Sequence, residues 1–150
     1  MKAYIAAPLF CDAEKGFNLQ VDAAVQALGL DTFLPQRDGG EAAPLVRQGL
    51  DEDTVRRRLY ELDCAAIAEC AIFVFILDGR VPDEGGCVEL GMARAHGVDC
   101  FGLQTDSRRF GGTDSNNLMI DYSLNGGIAR SIDELSTVLR AHLGALTPVP

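Results

Sequence analysis

The sequence predicts a single α/β domain built on a parallel β-sheet. Apolar runs alternate with amphipathic segments from one end of the chain to the other, which is the pattern of repeated strand–helix–strand units. The 150 residues are enough for one full hydrophobic core and too few for two. Since 47% of the residues are hydrophobic and 23% are charged, the composition is that of a globular protein, and we expect one domain over residues 1–150.

The first part of the chain predicts two strands with a helix between them. Ala3 to Ala7 is a short apolar run that we interpret as strand 1. Glu14 to Leu28 carries the helical period, and Gly29 follows it as a C-terminal stop. Thr32 to Leu34 is a short second strand, which Pro35 ends.

The central part contains the strongest strand. Gln36 to Gly49 is rich in Gly and interrupted by Pro44, so we predict a loop there. Asp53 to Glu69 has the helical period. The continuous apolar run from Ala71 to Leu77 is the clearest strand, because a strand that helices cover on both faces loses its alternation.

The last part predicts two weaker strands, Cys100 to Leu103 and Leu118 to Tyr122, and a closing helix from Ile132 to Leu143. Between the two strands, Gln104 to Asn117 is rich in Gly, Ser, Asn and Asp. This loop and the loop from Gln36 to Gly49 are candidate lids over a site.

Five short strands with interleaved helices predict a flavodoxin-like, doubly wound sheet of order 2-1-3-4-5 with helices on both faces. In such a sheet the ligand crevice lies beyond the carboxyl ends of strands 1 and 3. We therefore expect Pro8 to Phe10 to lie beside Asp78, Gly79 and Arg80, with the loops around Arg37 and Gly111 at the flanks.

Composition and charge narrow the class of function. The formal net charge of -9 opposes binding to a nucleic acid and favours a small neutral substrate. No apolar run approaches the length of a membrane span, and the N-terminus lacks a signal-peptide pattern. The five cysteines are scattered without a C-x-x-C pair, and no metal motif is present. We expect a soluble protein of the reducing cytoplasm, without membrane, nucleic-acid or metal partners.

Four carboxylates follow the strongest strand, at the predicted mouth of the crevice: Asp78, Asp83, Glu84 and Glu89. Gly85 and Gly86 let the backbone turn tightly into a helix, so we expect Glu89 in the first helical turn. The helix dipole favours an ionised carboxylate there, as a nucleophile requires. The alternative is that Glu89 is one of the acidic residues that commonly cap helices.

Asp63 is the second candidate for chemistry because it falls inside the apolar sector of the helix from Asp53 to Glu69. Burial would raise the pKa of this carboxyl and make it a proton donor near neutral pH. The alternative is a structural ion pair with Arg56, two turns earlier. We interpret the run Arg56 to Arg58, which Glu52, Asp53 and Glu61 flank, as a solvated helix face.

A set of segments spread over most of the chain matches one known pattern: Ala6 to Phe10, Phe33 to Gly39, Asp63 with Ile67, Asp78 with Gly79, Asp83 to Ala93, and Asn117 to Ile120. The most specific part is the block Asp83-x-Gly85-x-x-x-Glu89-x-Gly91-x-Ala93, in combination with the upstream aspartate and the downstream Asn-Leu-Met-Ile. On these residues the chain resembles the nucleoside 2-deoxyribosyltransferase family.

The resemblance implies a flavodoxin-like fold, no cofactor, and transfer of 2-deoxyribose from one nucleobase to another through a covalent glycosyl-enzyme. The substrates would be 2-deoxyribonucleosides and free nucleobases. By position, Glu89 matches the nucleophile, Asp63 the general acid at the base, and Asp83 a ligand of the sugar hydroxyl. Gln36 lies where a base-contacting side chain is expected.

The resemblance also implies further substrate-binding residues, which are Phe10, Asp78, Gly79 and Gly85. Asn117 and Met119 match residues that members contribute to a neighbouring subunit's site, which implies a homo-oligomer. The chain departs from the pattern where many members carry Ser, Thr or Ala, since it has Gly86 and Cys87 there. A tyrosine that orients the nucleophile in some members has no certain equivalent, because Tyr4 lies inside the predicted strand 1.

Two other functions stay open. A related hydrolase would cleave deoxynucleoside 5-monophosphates with the same Asp/Glu pair, but it needs donors for the phosphate. The residues that could supply these donors are Arg37, Arg80, Arg108 and Arg109. A non-catalytic nucleotide- or signal-binding module, such as a receiver domain, would use Asp78 after strand 3 and a lysine after strand 5, where this chain has none.

Overall fold

The structure, a computed structural model, describes residues 1–40, 42–107 and 115–146. The strands are β1 Lys2–Ala6, β2 Asp31–Phe33, β3 Ile72–Ile76, β4 Asp99–Leu103 and β5 Ile128–Ala129. The helices are α1 Asp12–Gln26, α2 Ala42–Arg47, α3 Glu52–Glu69, α4 Glu84–Ala95, α5 Leu118–Ser123 and α6 Ile132–Leu146, and a π-helical turn spans Pro35–Gly39. Within these ranges no helix is both long and apolar enough to cross a lipid bilayer.

The described strands form one five-stranded parallel sheet of order β2-β1-β3-β4-β5, which confirms the predicted order. The central strand, β3, pairs with β1 and β4, and all five of its residues are buried. Helices cover both faces of this strand, which explains its uninterrupted apolar sequence.

Alternation along β1 sends its side chains into two separate cores. Ala3 and Ile5 join the core under α1 and α6, whereas Tyr4 and Ala6 join the core under α3 and α4. In the sheet register, Tyr4 lies between Phe33 of β2 and Phe73 of β3. One aromatic row therefore crosses three neighbouring strands on the α3–α4 face.

One predicted strand is wrong: Leu118 to Tyr122 belongs to helix α5, and the fifth strand is Ile128–Ala129. The Asn117 side chain accepts a hydrogen bond from the Met119 amide at 2.9 Å, so it caps a helix at this point. Leu118 and Met119 are largely exposed, unlike the residues of a buried strand. A short apolar run has too few residues for its period to separate helix from strand.

The two predicted loops differ in outcome. The segment from Gln36 to Gly49 is not a plain loop, because it contains most of the turn Pro35–Gly39 and the whole of α2. Pro35 suits the first position of a helical turn, since its missing N–H is not needed there. The second predicted lid, around Gly111, falls mainly on residues 108–114, which lie outside the described residues.

Two glycine substitutions test the packing of this fold. A Cβ on Gly126 would overlap the Phe101 ring, whereas a Cβ on Gly16 inside α1 would meet open space. We expect Gly126→Ala to lower the free energy of unfolding by about 1–3 kcal/mol through overpacking. Gly16→Ala should raise it by about 0.5–1 kcal/mol by removing backbone entropy from the unfolded chain. Urea unfolding measures both, and a Gly126→Ala variant as stable as wild type would contradict the packing of β4 described here.

Candidate active site

A cleft of about 350 Å³ opens at the carboxyl edge of the sheet. Four segments contribute to it: the β1–α1 loop, the turn Pro35–Gly39, helix α3, and the start of α4 with its cap. Its lining residues are Ala7, Leu9, Phe10, Pro35, Asp63, Asp83, Glu84, Gly85 and Glu89. The cleft thus brings together all three residues predicted for catalysis, and two of the residues predicted for substrate binding, Phe10 and Gly85.

Glu89 projects from the second turn of α4, because the helix begins at Glu84. Its predicted place in the first turn is therefore wrong, and the helix dipole acts mainly within that first turn. Burial is the main influence on the carboxyl instead, and it raises the pKa of Glu89 to about 7. The nearby charges of Asp63 and Asp83 also raise it, whereas a hydrogen bond from Tyr4 lowers it.

Tyr4, which its place inside strand 1 left without a predicted role, contacts Glu89. Its hydroxyl donates a hydrogen bond to Oε1 of Glu89 at 2.9 Å. The ring is fully buried and stacks between Phe33 and Phe73, with centroids 5.4 and 5.5 Å away. Burial, and then the Glu89 charge, raise the pKa of Tyr4 far above its usual value, so the hydroxyl stays a neutral donor. The signal was present in the alternation of β1, which points Tyr4 away from the face of Ala3 and Ile5.

Asp63 reaches the cleft from α3 and has no compensating partner in the described structure. Its Oδ1 atom is buried and makes no hydrogen bond there. Arg56, the predicted alternative partner, lies 3.6 Å from Glu52 instead, and Arg57 likewise pairs with Asp53 at 3.6 Å, as expected for a solvated face. Burial alone raises the pKa of Asp63 to about 6. A carboxyl with this pKa is half protonated at about pH 6, so a fraction of it still carries a proton to give at neutral pH.

Asp83 lies directly before α4 and caps it. Its Oδ2 atom accepts a hydrogen bond from the Gly86 amide at 2.7 Å. A Cβ at position 86 would overlap the Phe75 ring, so the close approach of α4 to β3 requires glycine there. Many family members carry a larger residue here, and the Phe75 ring explains why this chain has glycine instead.

Asp78 and Gly79 line a different cleft, of about 300 Å³, together with Pro8, Asn18 and Thr105 among others. Asp78 accepts hydrogen bonds from the Thr105 amide at 2.6 Å and from the Asp106 amide at 2.9 Å. This carboxylate ties the end of β3 to the end of β4. The structure does not bring Asp78 and Gly79 into the cleft of Glu89.

The other predicted binding residues do not line the cleft. Gln36 uses its side-chain amide to contact Asn18 and the Lys15 carbonyl oxygen, on α1. Asn117 caps α5, and Met119 is 70% exposed at the start of that helix. In the described part of the chain, no group of three or more His, Cys, Asp or Glu side chains is arranged to hold a metal ion.

The chemistry of the cleft follows from its two half-buried carboxyls. Glu89 and Asp63 come from neighbouring helices, and the charge of Asp63 raises the pKa of Glu89. Two such groups near neutral pH favour a state in which they hold one proton between them. An apolar wall of Ala7, Leu9, Phe10 and Pro35 completes the cleft. The arrangement suits a carboxylate nucleophile and a carboxylic acid acting on one organic substrate.

Solved structures with this fold include glycosyl-transferring and glycosidic enzymes. A conserved protein of Enterococcus faecalis V583 is 22% identical with a TM-score of 0.76, and the alignment covers 95% of this chain and 98% of that chain. The 2-deoxyribosyltransferase of Bacillus psychrosaccharolyticus is 22% identical with a TM-score of 0.74, over 91% and 90% of the two chains. The CMP N-glycosidase of Clostridium botulinum is 18% identical with a TM-score of 0.58, over 93% and 98%.

Sequence comparison gives the family. A search of curated proteins found no significant match. The family model described as nucleoside 2-deoxyribosyltransferase matches residues 3–128, a span that includes Tyr4, Asp63 and Glu89 and covers most of the chain. The chain therefore belongs to the nucleoside 2-deoxyribosyltransferase family.

Proposed function

We propose that this protein transfers 2-deoxyribose between nucleobases by cleaving the N-glycosidic bond of 2-deoxyribonucleosides. The observation that carries the proposal is the pair of carboxyls in one cleft, with Glu89 held by the Tyr4 hydroxyl and Asp63 left without a partner. Membership of the family supports it, and so does the fold shared with the deoxyribosyltransferase of B. psychrosaccharolyticus.

The proposed reaction has two displacements at the anomeric carbon. In the first, a Glu89 oxygen forms a bond to the anomeric carbon while the bond to the base nitrogen breaks, and Asp63 gives its proton to the departing base. In the second, a nitrogen of the incoming base attacks the same carbon, the bond to Glu89 breaks, and Asp63 takes the proton that the incoming base loses. Two inversions retain the configuration, as in retaining glycosidases.

Tyr4 orients the nucleophile in this mechanism. Its hydroxyl holds Oε1 of Glu89, so Oε2 is the oxygen that is left for attack. A hydrogen bond to a charged group contributes about 1.5–3 kcal/mol, and it partly offsets the cost of burying the ionised carboxylate. We propose in addition that Asp83 binds a sugar hydroxyl and that Phe10 and Gly85 contact the substrate, since all three line the cleft.

The charge of the cleft favours nucleosides over nucleoside monophosphates as substrates. Among the residues that the structure describes, its lining includes four acidic residues and no lysine or arginine. Arg37 contacts Asp22, Asp38 and the Thr32 carbonyl oxygen, so its guanidinium is already engaged. Position 86, held as glycine by Phe75, offers no hydroxyl. The hydrolase alternative draws support from the C. botulinum CMP N-glycosidase, which shares the fold of this chain. The acidic lining, the engaged Arg37 and the missing hydroxyl at position 86 all oppose a phosphate ligand. Arg108 and Arg109 lie outside the described residues.

We also propose that the protein assembles as a homo-oligomer in which Asn117 and Met119 complete a neighbouring subunit's site. Both lie outside the lining of their own chain's cleft. Helix α5 exposes Leu118 by 63%, Met119 by 70% and Tyr122 by 84%, an apolar surface of the kind that subunit interfaces bury.

A product assay tests the proposed activity. Wild-type protein incubated with thymidine and free adenine should form deoxyadenosine, and thymidine 5-monophosphate should be a much poorer donor.

Glu89→Gln keeps the shape of the side chain but removes the anionic nucleophile, so transfer should fall by at least about 10³-fold while nucleoside still binds. Glu61→Gln, which removes an exposed carboxylate of α3, is the charge-matched control and should transfer like wild type. Free deoxyribose as the sole sugar product in the presence of adenine would favour the hydrolase. Near-normal transfer by Glu89→Gln would exclude Glu89 as the nucleophile.

The pH dependence tests the pairing of Glu89 with Asp63. The productive state needs Glu89 ionised and Asp63 protonated, so the pair must hold one proton. Because the pKa of Glu89 is raised above that of Asp63, this is the less populated of the two singly protonated states. Below about pH 6 both carboxyls gain protons, and above about pH 7 both lose them, since burial raises the two pKa values to about 6 and 7. We therefore expect a bell-shaped profile of kcat/KM with its maximum between these values.

Asp63→Asn supplies the control for this profile. The amide cannot donate a proton, so ordinary nucleosides should react slowly and nucleosides with activated leaving bases should be affected less. The falling limb should disappear, because residue 63 then no longer has to hold a proton. An unchanged falling limb, or equal slowing with both kinds of leaving base, would show that Asp63 is not the acid.

A further inference from the structure

Two side-chain amides connect three chain segments beneath the apolar wall of the cleft. Asn18, in α1, is only 1% exposed. Its Nδ2 atom donates one hydrogen bond to the Pro8 carbonyl oxygen and another to Oε1 of Gln36, each at 2.9 Å. The Nε2 atom of Gln36 then donates to the Lys15 carbonyl oxygen at 3.0 Å. We call Asn18 and Gln36 the amide clasp.

The orientation of both amides is fixed by the two ends of this network. A backbone carbonyl only accepts hydrogen bonds, so the NH₂ group of Asn18 must face Pro8 and the NH₂ group of Gln36 must face Lys15. Each amide is then in the correct orientation for the bond between them. Rotating either amide by 180° would set two acceptors or two donors against each other, so the three hydrogen bonds of the clasp form in one arrangement only.

The segments that the clasp joins are those that form the apolar wall of the cleft. Pro8 lies between Ala7 and Leu9 in the β1–α1 loop, and Gln36 follows Pro35 in the turn Pro35–Gly39. The same turn reaches the acid: a Cβ on Gly39 would lie 3.4 Å from Oδ1 of Asp63. A shift of this turn would therefore move the wall and also change the space beside the proton donor.

We propose that Asn18 is a positioning residue, which works with Gln36 to hold the apolar wall at the correct distance from Asp63 and Glu89. The inference rests on the proposed function and assigns Gln36 a different role from the one its sequence position implies. Gln36 does not line the cleft, and its amide contacts α1. It acts on the substrate through Pro35 and its neighbours.

A double-mutant cycle tests the clasp. Asn18→Leu and Gln36→Met keep approximately the volume of each side chain but remove its hydrogen-bonding groups. Each single change should lower kcat/KM on the order of 10- to 100-fold, because a displacement of about 1 Å in a positioning element has effects of this size. The double variant should lose no more than the worse single variant, because the two amides act as one unit. The pH profile should keep its shape, since Glu89 and Asp63 are unchanged.

Val25→Ala is the matched control. Val25 lies in the same helix and is buried in the core, but it is not part of the clasp. It should lower Tm while leaving kcat/KM at the wild-type value when assayed well below Tm. Equal loss of kcat/KM in Val25→Ala and Asn18→Leu would show that the clasp affects activity only through the stability of the fold. Additive losses in the cycle would show that Asn18 and Gln36 act independently.

A third outcome distinguishes the direct role of Gln36. Loss of activity in Gln36→Met with normal activity in Asn18→Leu would mean that Gln36 touches the base itself, and the clasp proposal would fall. The wild-type reaction separates this from failure of the proposed function: if wild-type protein cleaves no deoxynucleoside, the proposed function is wrong, whatever the variants do.

Discussion

The hydrogen bond from Tyr4 to Glu89 is the contact on which the candidate site depends. A half-buried carboxylate near other acidic groups is costly to ionise, and burial raises the pKa of Glu89 accordingly. The Tyr4 hydroxyl is the described contact that favours the ionised form of Glu89. It also fixes which oxygen is held and which is left for chemistry.

The fold does this by bringing a strand and a helix close together. Tyr4 points toward α4 because of its place in the alternation of β1, and the register of three strands stacks its ring between Phe33 and Phe73. Helix α4 approaches the sheet closely because Gly86 leaves room for the Phe75 ring. The hydrophobic core therefore sets the position of the tyrosine and of the helix that carries Glu89. The contacts that pack this part of the core therefore also set the distance between Tyr4 and Glu89.

Much of this arrangement could be predicted from the sequence. The strand order followed from alternating elements, and Asp63 was identified because a carboxylate inside an apolar helical sector needs a partner or a function. Helix α5 was mistaken for a strand because its short apolar run has no decisive period and its cap is a single side-chain contact. Tyr4 was given no role because it lies inside β1, although strand alternation places its side chain on the face of α4.

Other features depend on three-dimensional detail that a sequence pattern does not contain. Asp78 follows the correct strand, but whether its side chain turns toward one cleft or the neighbouring one is decided by the Thr105 and Asp106 amides. The first-turn position expected for Glu89 failed because α4 begins at Glu84, and its N-cap is Asp83. The contact of Gln36 with Asn18 joins residues from different segments, and nothing in their spacing indicates it.

Trapping the reaction intermediate tests the central claim most directly. A 2-fluorinated deoxynucleoside carries an electron-withdrawing fluorine that slows breakdown of a glycosyl-enzyme, so the wild-type protein should gain the mass of one fluorinated sugar. Peptide mapping should locate this sugar on Glu89, and Tyr4→Phe should form the adduct more slowly because the carboxylate loses its donor. An adduct on Asp83 or Cys87, or turnover of the analogue with no adduct on the protein, would contradict the role of Glu89 as the nucleophile.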